Sequence, residues 1–120
     1  MARYVDGFVV PAPKKNLQAY RRLARAAGKL WRGIGALDYR ECIADDVLVG
    51  KTTSFPRSVK LKPGETVIFG WIAYKSRAHR DQVNALAMRD PRFAKLYHAK
   101  SMPFDGRRMF HGGFKTFVEA

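Results

Sequence analysis

The chain has 120 residues, a formal net charge of +13 and one cysteine, Cys42. A chain of this length can form a hydrophobic core that needs no disulfides or metals, so we expect residues 1–120 to form a single domain. A lone cysteine excludes a disulfide framework, and the first residues lack the apolar segment of a signal peptide, which together predict a cytoplasmic protein. The longest apolar run, residues 67–73, is too short for a membrane-spanning helix, so no membrane association is expected.

The first third of the chain predicts a strand, a helix and a second strand. β-branched and aromatic residues at positions 4–10 are typical of a strand, which Pro11 and Pro13 are expected to end. Apolar side chains then recur at three- and four-residue steps over residues 14–34, as in an amphipathic helix. Alternating polar and apolar residues predict a second strand over residues 36–45.

The middle of the chain is less regular. Residues 46–63 contain glycine, serine, threonine and proline, which predicts an irregular loop with a short edge strand over residues 58–61. Residues 66–74 then form the strongest strand pattern of the chain. Both faces of this strand are apolar, so we expect both to be covered in the folded protein.

The last third predicts two helices and a final strand. Ser76 is typical of an N-cap, which favours a helix over residues 77–89. Asp90 followed by Pro91 is a second helix start. Residues 108–118 predict the last strand, and the pair Gly112-Gly113 within it indicates either a bulge or a close approach of another group to the backbone.

This order of elements predicts an α+β fold of the βαββαβ, ferredoxin-like type with an antiparallel sheet. Helices cover one face of such a sheet. The third strand is apolar on its second face as well, and Met109 and Phe117 alternate with Phe110 and Phe114 in the fourth. We therefore expect a second copy of the chain to cover that face, which predicts a homodimer.

Several motifs together resemble a known family. They are residues 4–10 (YVDGFVV), Glu41-Cys42, Asp90-Pro91-Arg92, residues 101–109 (SMPFDGRRM) and residues 112–114 (GGF). With these motifs the chain is similar, along essentially its whole length, to the YbaA-like family of small bacterial proteins of unknown function. The resemblance implies a dimeric α/β barrel, in which two ferredoxin-like sheets close around a shared interior. The resemblance implies no activity, because the family has no established function and proteins that share a fold differ in function.

A small organic ligand between sheet and helices is the leading hypothesis for function. Phe8, Tyr39, Trp71 and Phe114 are the expected apolar walls. Asp6, Glu41 and His111, on three different strands, are the expected polar groups. A carboxyl group in apolar surroundings has a raised pKa and can act as a general acid or base, which leaves a cofactor-free monooxygenase or isomerase as one alternative. Buried hydrogen bonds that fix the dimer are the purely structural alternative.

A basic face on the first helix provides an alternative function. At 3.6 residues per turn one arc of the helix carries cations and a glutamine. These residues are Lys14, Gln18, Arg21, Arg22, Arg25, Lys29 and Arg32. Such a stripe is able to follow a phosphate backbone, so an RNA-binding dimer is a second hypothesis, with a merely solvated face as the alternative.

The other polar residues give weaker signals. Arg80 is a candidate anion ligand, with a solvated helix face as the alternative. His79, His98 and His111 show no metal-ligand spacing, so no metal is expected, and a heme bound by His111 alone has no other support. Cys42 is interpreted as a small buried apolar residue. No cofactor is expected.

Overall fold

The computed structural model describes residues 3–98, 100 and 102–120. Within these residues it contains four strands, four α-helices and a 3-10 turn at Lys14–Asn16. The strands are β1 (Tyr4–Pro13), β2 (Asp38–Ile43), β3 (Glu65–Tyr74) and β4 (Phe110–Lys115). The helices are α1 (Leu17–Gly33), α2 (Phe55–Ser58), α3 (Arg77–Arg89) and α4 (Pro91–Leu96).

The strands form one antiparallel sheet in the order β2-β3-β1-β4. β1 pairs with β3 along its whole length, from Tyr4 opposite Tyr74 to Pro13 opposite Glu65. β2 and β4 are the two edges, so the sheet of the single chain is open. The expected α+β, ferredoxin-like arrangement is confirmed.

β1 continues three residues beyond its expected end. Pro11 pairs with Val67 and Pro13 with Glu65. β4 runs beside β1 only as far as Val9, so beyond that point β1 has one hydrogen-bonded neighbour. A proline is tolerated there, because its missing N–H faces the side without a partner strand.

The first helix begins later than the pattern predicted. Lys14–Asn16 form the 3-10 turn, and α1 proper starts at Leu17. Gly28 lets α1 approach β2 closely, since a Cβ at this position would lie 2.8 Å from Cδ1 of Tyr39.

The expected edge strand over residues 58–61 is wrong. Ser54 caps the one-turn helix α2 by accepting a hydrogen bond from the Arg57 N–H at 3.1 Å, and Pro56 occupies its first turn. Proline suits a first helical turn because no intrahelical bond needs its missing N–H. Val59, 1% exposed, then packs on Val9 and Val67 on the sheet face away from the long helices.

The C-terminal elements follow the sequence pattern closely. The side chains of Ser76 and Asp90 cap α3 and α4, as predicted. β4 is shorter than expected at both ends. It pairs continuously with β1, without a bulge. The close approach is at Gly113, where a Cβ would meet Tyr4 Oη at 2.2 Å.

The two sheet faces differ in how well they are covered. Under α1 and α3 lie buried side chains such as Tyr4, Val10 and Ile72. On the opposite face Phe69 and Phe110 both lie across from Val9, and they are 42% and 46% exposed. In the part of the chain that the structure describes, no helix is both long and apolar enough to cross a membrane.

Candidate functional site

A cavity of about 520 Å³ lies between the sheet and the long helices. Strand residues form its floor: Asp6, Phe8 and Val10 from β1, Tyr39 and Glu41 from β2, Ile72 from β3 and His111 from β4. α1, α3, α4 and the segment before β4 supply the other walls. The volume lies in the range of small-molecule sites, roughly 300–1,000 Å³.

Aromatic rings dominate the walls of this cavity. Trp31 of α1 packs edge-on against Phe93 of α4, with ring centroids 4.9 Å apart. The Trp31 indole N–H donates to Tyr97 Oη at 3.1 Å. Tyr20 of α1 packs against Phe104, with centroids 5.5 Å apart. These contacts hold the rings in place, so the aromatic walls are preformed.

Glu41 accepts hydrogen bonds from two tyrosines. The hydroxyl of Tyr20 donates to its Oε1, and the hydroxyl of Tyr39 donates to its Oε2. Burial, and then the charge of Glu41, raise the pKa of both tyrosines far above the ordinary value of 10.0. Both therefore stay neutral phenols and act as donors.

Asp6 is engaged by Arg80. The guanidinium donates to Asp6 Oδ1 at 2.9 Å and to Tyr4 Oη at 3.2 Å. Burial raises the pKa of Asp6, while Arg80 and then His111 oppose that rise. The Arg80 side chain is only 18% exposed, so it is not part of a solvated helix face, and its guanidinium is held by Asp6 and Asp81.

The third predicted polar group, His111, lies opposite Phe8 in the β1–β4 pairing and also lines the cavity. The structure therefore brings Asp6, Glu41 and His111, from three different strands, to one cavity. Asn84 of α3 adds a polar group that the sequence did not single out for this site.

Two of the four predicted wall residues lie elsewhere. Phe8 and Tyr39 line the cavity, but Trp71 and Phe114 do not. Trp71 is paired with Gly7 and Phe114 with Val5, on the opposite face of the sheet. The reason is the two-residue period of a strand, which places these side chains away from Phe8.

The basic stripe lies on the exposed side of α1. Arg21, Arg22, Arg25, Lys29 and Arg32 are all exposed, and so is Lys14 in the preceding turn. Within the described residues, none of these six forms an ion pair with a carboxylate. Four of them line a groove of about 580 Å³ together with Tyr20, Tyr39 and Glu41: Arg21, Arg25, Lys29 and Arg32.

Two further sequence interpretations can be compared with the structure. Cys42 is exposed, not buried, because it lies on the edge strand β2 and faces away from the helices. Among the residues described, no three histidine, cysteine or acidic side chains come together in a way that would hold a metal ion.

Several cavity residues were missed because their role depends on tertiary contacts. Tyr20 and Trp31 belong to the apolar face of the helix that the sequence predicts over residues 14–34, which gives no sign of a site. Phe93 and Tyr97, four residues apart, follow the helix start at Asp90-Pro91, and the sequence pattern alone assigns them no part in a site. Their spacing was the available signal, since such positions share a helix face.

The comparisons with known proteins agree with the sequence resemblance. A family model described as "Protein of unknown function (DUF1428)" matches residues 3–106. "Uncharacterized protein YbaA" of Escherichia coli K12 is 45% identical over 117 residues, covering 98% of both chains. A protein of the same description from Shigella flexneri matches equally well. The crystal structure of a dimeric ferredoxin-like protein from an uncultured marine organism aligns over 100% of both chains, with a TM-score of 0.56 and 12% identity, which shows a shared fold.

Proposed function

The chain belongs to the DUF1428 family of proteins of unknown function. From the geometry of its cavity we propose that it binds a small organic molecule. From the second face of its sheet we propose that it does so as a homodimer. The observation that carries the proposal is the 520 Å³ cavity itself, with preformed aromatic walls and a few polar groups. Concave, mostly apolar sites with a few convergent polar groups are typical of small-molecule binding.

The polar groups have different roles in this proposal. The Asp6 carboxylate is already paired with Arg80. Glu41 and His111 are the groups that orient a ligand, while Phe8, Tyr39 and Trp31 contact its apolar part. Trp71 and Phe114 belong to the homodimer interface.

A fluorescent probe tests the cavity directly. We expect the neutral fluorophore N-phenyl-1-naphthylamine to bind saturably, with one cavity per chain. Ala24→Phe places a ring in the cavity and is expected to weaken binding about tenfold or more. Ala85→Phe, on the exposed side of α3, adds the same ring outside the cavity and leaves binding unchanged. No saturable binding, or equal binding by both variants, would refute the proposal.

The homodimer proposal rests on the second sheet face. Phe69 and Trp71 lie in ring contact at 5.8 Å on that face, and Phe114 is 64% exposed. An exposed apolar surface of this kind is typical of an interface. A structure with the same fold is described as dimeric. Two sheets packed through these faces would form the dimeric α/β barrel implied by the family resemblance.

Polyanion binding by the basic stripe is a second candidate function. It is favoured by one observation: the stripe cations are exposed and lack carboxylate partners among the described residues. Such cations are free to contact the phosphates of an RNA. We rank this function second, because none of the described residues that line the groove offers an exposed aromatic ring on which a base could stack.

The enzyme alternative, a cofactor-free monooxygenase or isomerase, ranks below ligand binding. Its general base would be Asp6 or Glu41. Asp6 is bound to Arg80, and Glu41 accepts hydrogen bonds from two phenols. Both carboxylates are therefore already engaged by hydrogen-bond donors of the protein itself. A cytoplasmic location stays a prediction from the single cysteine.

A further inference from the structure

The lining of the cavity is selective in charge. The chain has 23 lysines and arginines against 10 acidic residues. Of the residues that the structure describes, no lysine or arginine lines the cavity, whereas Asp6 and Glu41 do. His111 is the basic side chain that reaches it. An excess of acidic over basic groups in the cavity of a protein this basic indicates the charge of its ligand.

The two carboxylates are not equivalent. Arg80 compensates the charge of Asp6 at 2.9 Å. Glu41 forms no ion pair with any described lysine or arginine, and its two hydrogen bonds come from neutral phenols. A carboxylate has about four acceptor positions, so each Glu41 oxygen retains the capacity for a further donor. The cavity carboxylate that has no ion-pair partner among the described residues is therefore Glu41.

Two tyrosines contact this carboxylate, and other aromatic rings line the same cavity. Tyr20 and Tyr39 contact it through their hydroxyls, and Trp31 and Phe8 line the same cavity. The faces of such rings attract cations through their negative quadrupole. A carboxylate on a cavity lined by aromatic rings therefore matches an ammonium group attached to an apolar body.

We propose that the ligand is a small organic cation, an amine with an aromatic or branched apolar body, whose ammonium group binds the Glu41 carboxylate. This inference rests on the proposed function, since it specifies the class of molecule that the cavity takes. Glu41 also lines the groove of about 580 Å³ on which four stripe cations lie, but these cations are exposed to solvent, where salt screens them. They therefore repel an amine in the cavity only weakly.

Three probes with the same ring and different charge test the inference on the unmodified protein. They are 2-(1-naphthyl)ethylamine, 2-(1-naphthyl)ethanol and 1-naphthylacetate, each titrated against bound N-phenyl-1-naphthylamine. We expect the amine to bind about tenfold or more tighter than the alcohol, as one charge-assisted hydrogen bond provides. The acetate is expected to bind most weakly.

A pair of variants identifies the anchor. Glu41→Gln keeps the side-chain shape and removes the charge, so the amine and the alcohol are expected to bind equally. Glu119→Gln removes the same charge at an exposed position and keeps the preference for the amine. Circular dichroism and a thermal melt establish that both variants fold.

The outcomes separate this inference from the proposed function. Equal binding of amine and alcohol to the unmodified protein, or tighter binding of the acetate, overturns the organic cation and leaves cavity binding intact. The same holds if the fluorophore binds and none of the three probes displaces it. If neither the fluorophore nor the probes bind, both proposals fail.

Discussion

Arg108 and Glu65 form a two-pronged ion pair, with Nη1 and Nη2 donating to the two carboxylate oxygens at 2.8 and 2.6 Å. Arg108 Nη1 also donates to the carbonyl oxygens of Val59 and Lys60, and Nε donates to Asp105. One side chain thus ties the segment before β4 to the start of β3. That segment includes Phe104, which contributes to the cavity wall.

Removal of this arginine is expected to cost stability in a pH-dependent way. Its hydrogen bonds hold the pKa of Glu65 below the ordinary 4.5. The backbone N–H of Arg107 and then the Arg108 side chain hold the pKa of Asp105 at about 2. Lowered folded pKa values mean that the stabilisation is complete above the unfolded values and is lost as the pH falls through the folded ones. Urea unfolding at pH 7 should show a loss of about 2 kcal/mol for Arg108→Met, shrinking between about pH 4.5 and 2.

The neighbouring arginine provides a matched control. Arg107 pairs with Asp105 at 3.3 Å, but its side chain is 92% exposed. Exposed pairs contribute little, so Arg107→Met should change the free energy of unfolding by less than about 0.5 kcal/mol. Equal losses for both variants would show that the Arg108 pair has no special role.

Gly70 of β3, which is paired with Phe8, is expected to be irreplaceable. A Cβ at this position would lie 2.4 Å from Phe8 Cζ and 2.7 Å from the carbonyl oxygen of Arg40. The backbone contact cannot be relieved by a rotamer change, so Gly70→Ala should destabilise by about 2 kcal/mol or more. Gly33→Ala is the control, because a Cβ there meets nothing within 4 Å. Equal melting temperatures for the two variants would contradict the steric role of Gly70.

The homodimer proposal predicts an asymmetric response to charge on the two sides of the chain. Phe110 on the open sheet face and Leu86 on α3 are each 46% exposed. Phe110→Asp should convert the dimer to monomer in sedimentation velocity at micromolar concentration, because an interface core does not accept an unpaired charge. Leu86→Asp should remain dimeric. A compact single subunit for the unmodified protein would remove the dimer.

Much of the fold could be predicted because local patterns and tertiary contacts agree. Ser76 and Asp90 cap their helices as their positions indicated. Strand alternation places Asp6 and Glu41 each on a strand face with bulky apolar residues, and the structure brings both carboxylates to one cavity. Alternation alone could not place Trp71, because both faces of β3 are apolar and its register with β1, which sets Trp71 opposite Gly7, is a tertiary contact.

The electrostatics of the site could not be predicted. The contact between Asp6 and Arg80 joins residues 74 positions apart, and that between Tyr20 and Glu41 joins residues on different elements. Such contacts depend on how far the helices sit above the sheet. Gly28 sets that distance for α1 and β2. The sequence pattern contains no record of this spacing.

The basic stripe predicts salt-dependent binding if it takes RNA. Arg21, Arg25 and Lys29 changed together to glutamine should weaken binding to total RNA and reduce the salt slope by roughly 0.7 per cation removed. The control changes Lys51, Arg89 and Lys95, exposed cations outside the stripe. Gel shifts over a salt series measure both slopes. Binding that is absent or independent of salt excludes the RNA function.

The tyrosines beside Glu41 predict a loss of stability at alkaline pH, in contrast to the loss at acid pH expected for Glu65 and Asp105. Burial and the charge of Glu41 raise the pKa of Tyr20 and Tyr39, so both stay protonated when an unfolded tyrosine, with a pKa near 10, ionises. Their stabilisation is complete below about pH 10 and declines as the pH rises toward the folded values.

Phenolate absorbance during an alkaline titration measures this directly. Replacing both tyrosines by phenylalanine should leave the absorbance of the folded protein at about pH 11 unchanged, because neither contributes to it there. Glu41→Gln removes the charge that raises both pKa values, so additional phenolate should appear at lower pH than in the unmodified protein. If the double variant loses absorbance near pH 10, the two phenols ionise normally and cannot be the donors that hold Glu41.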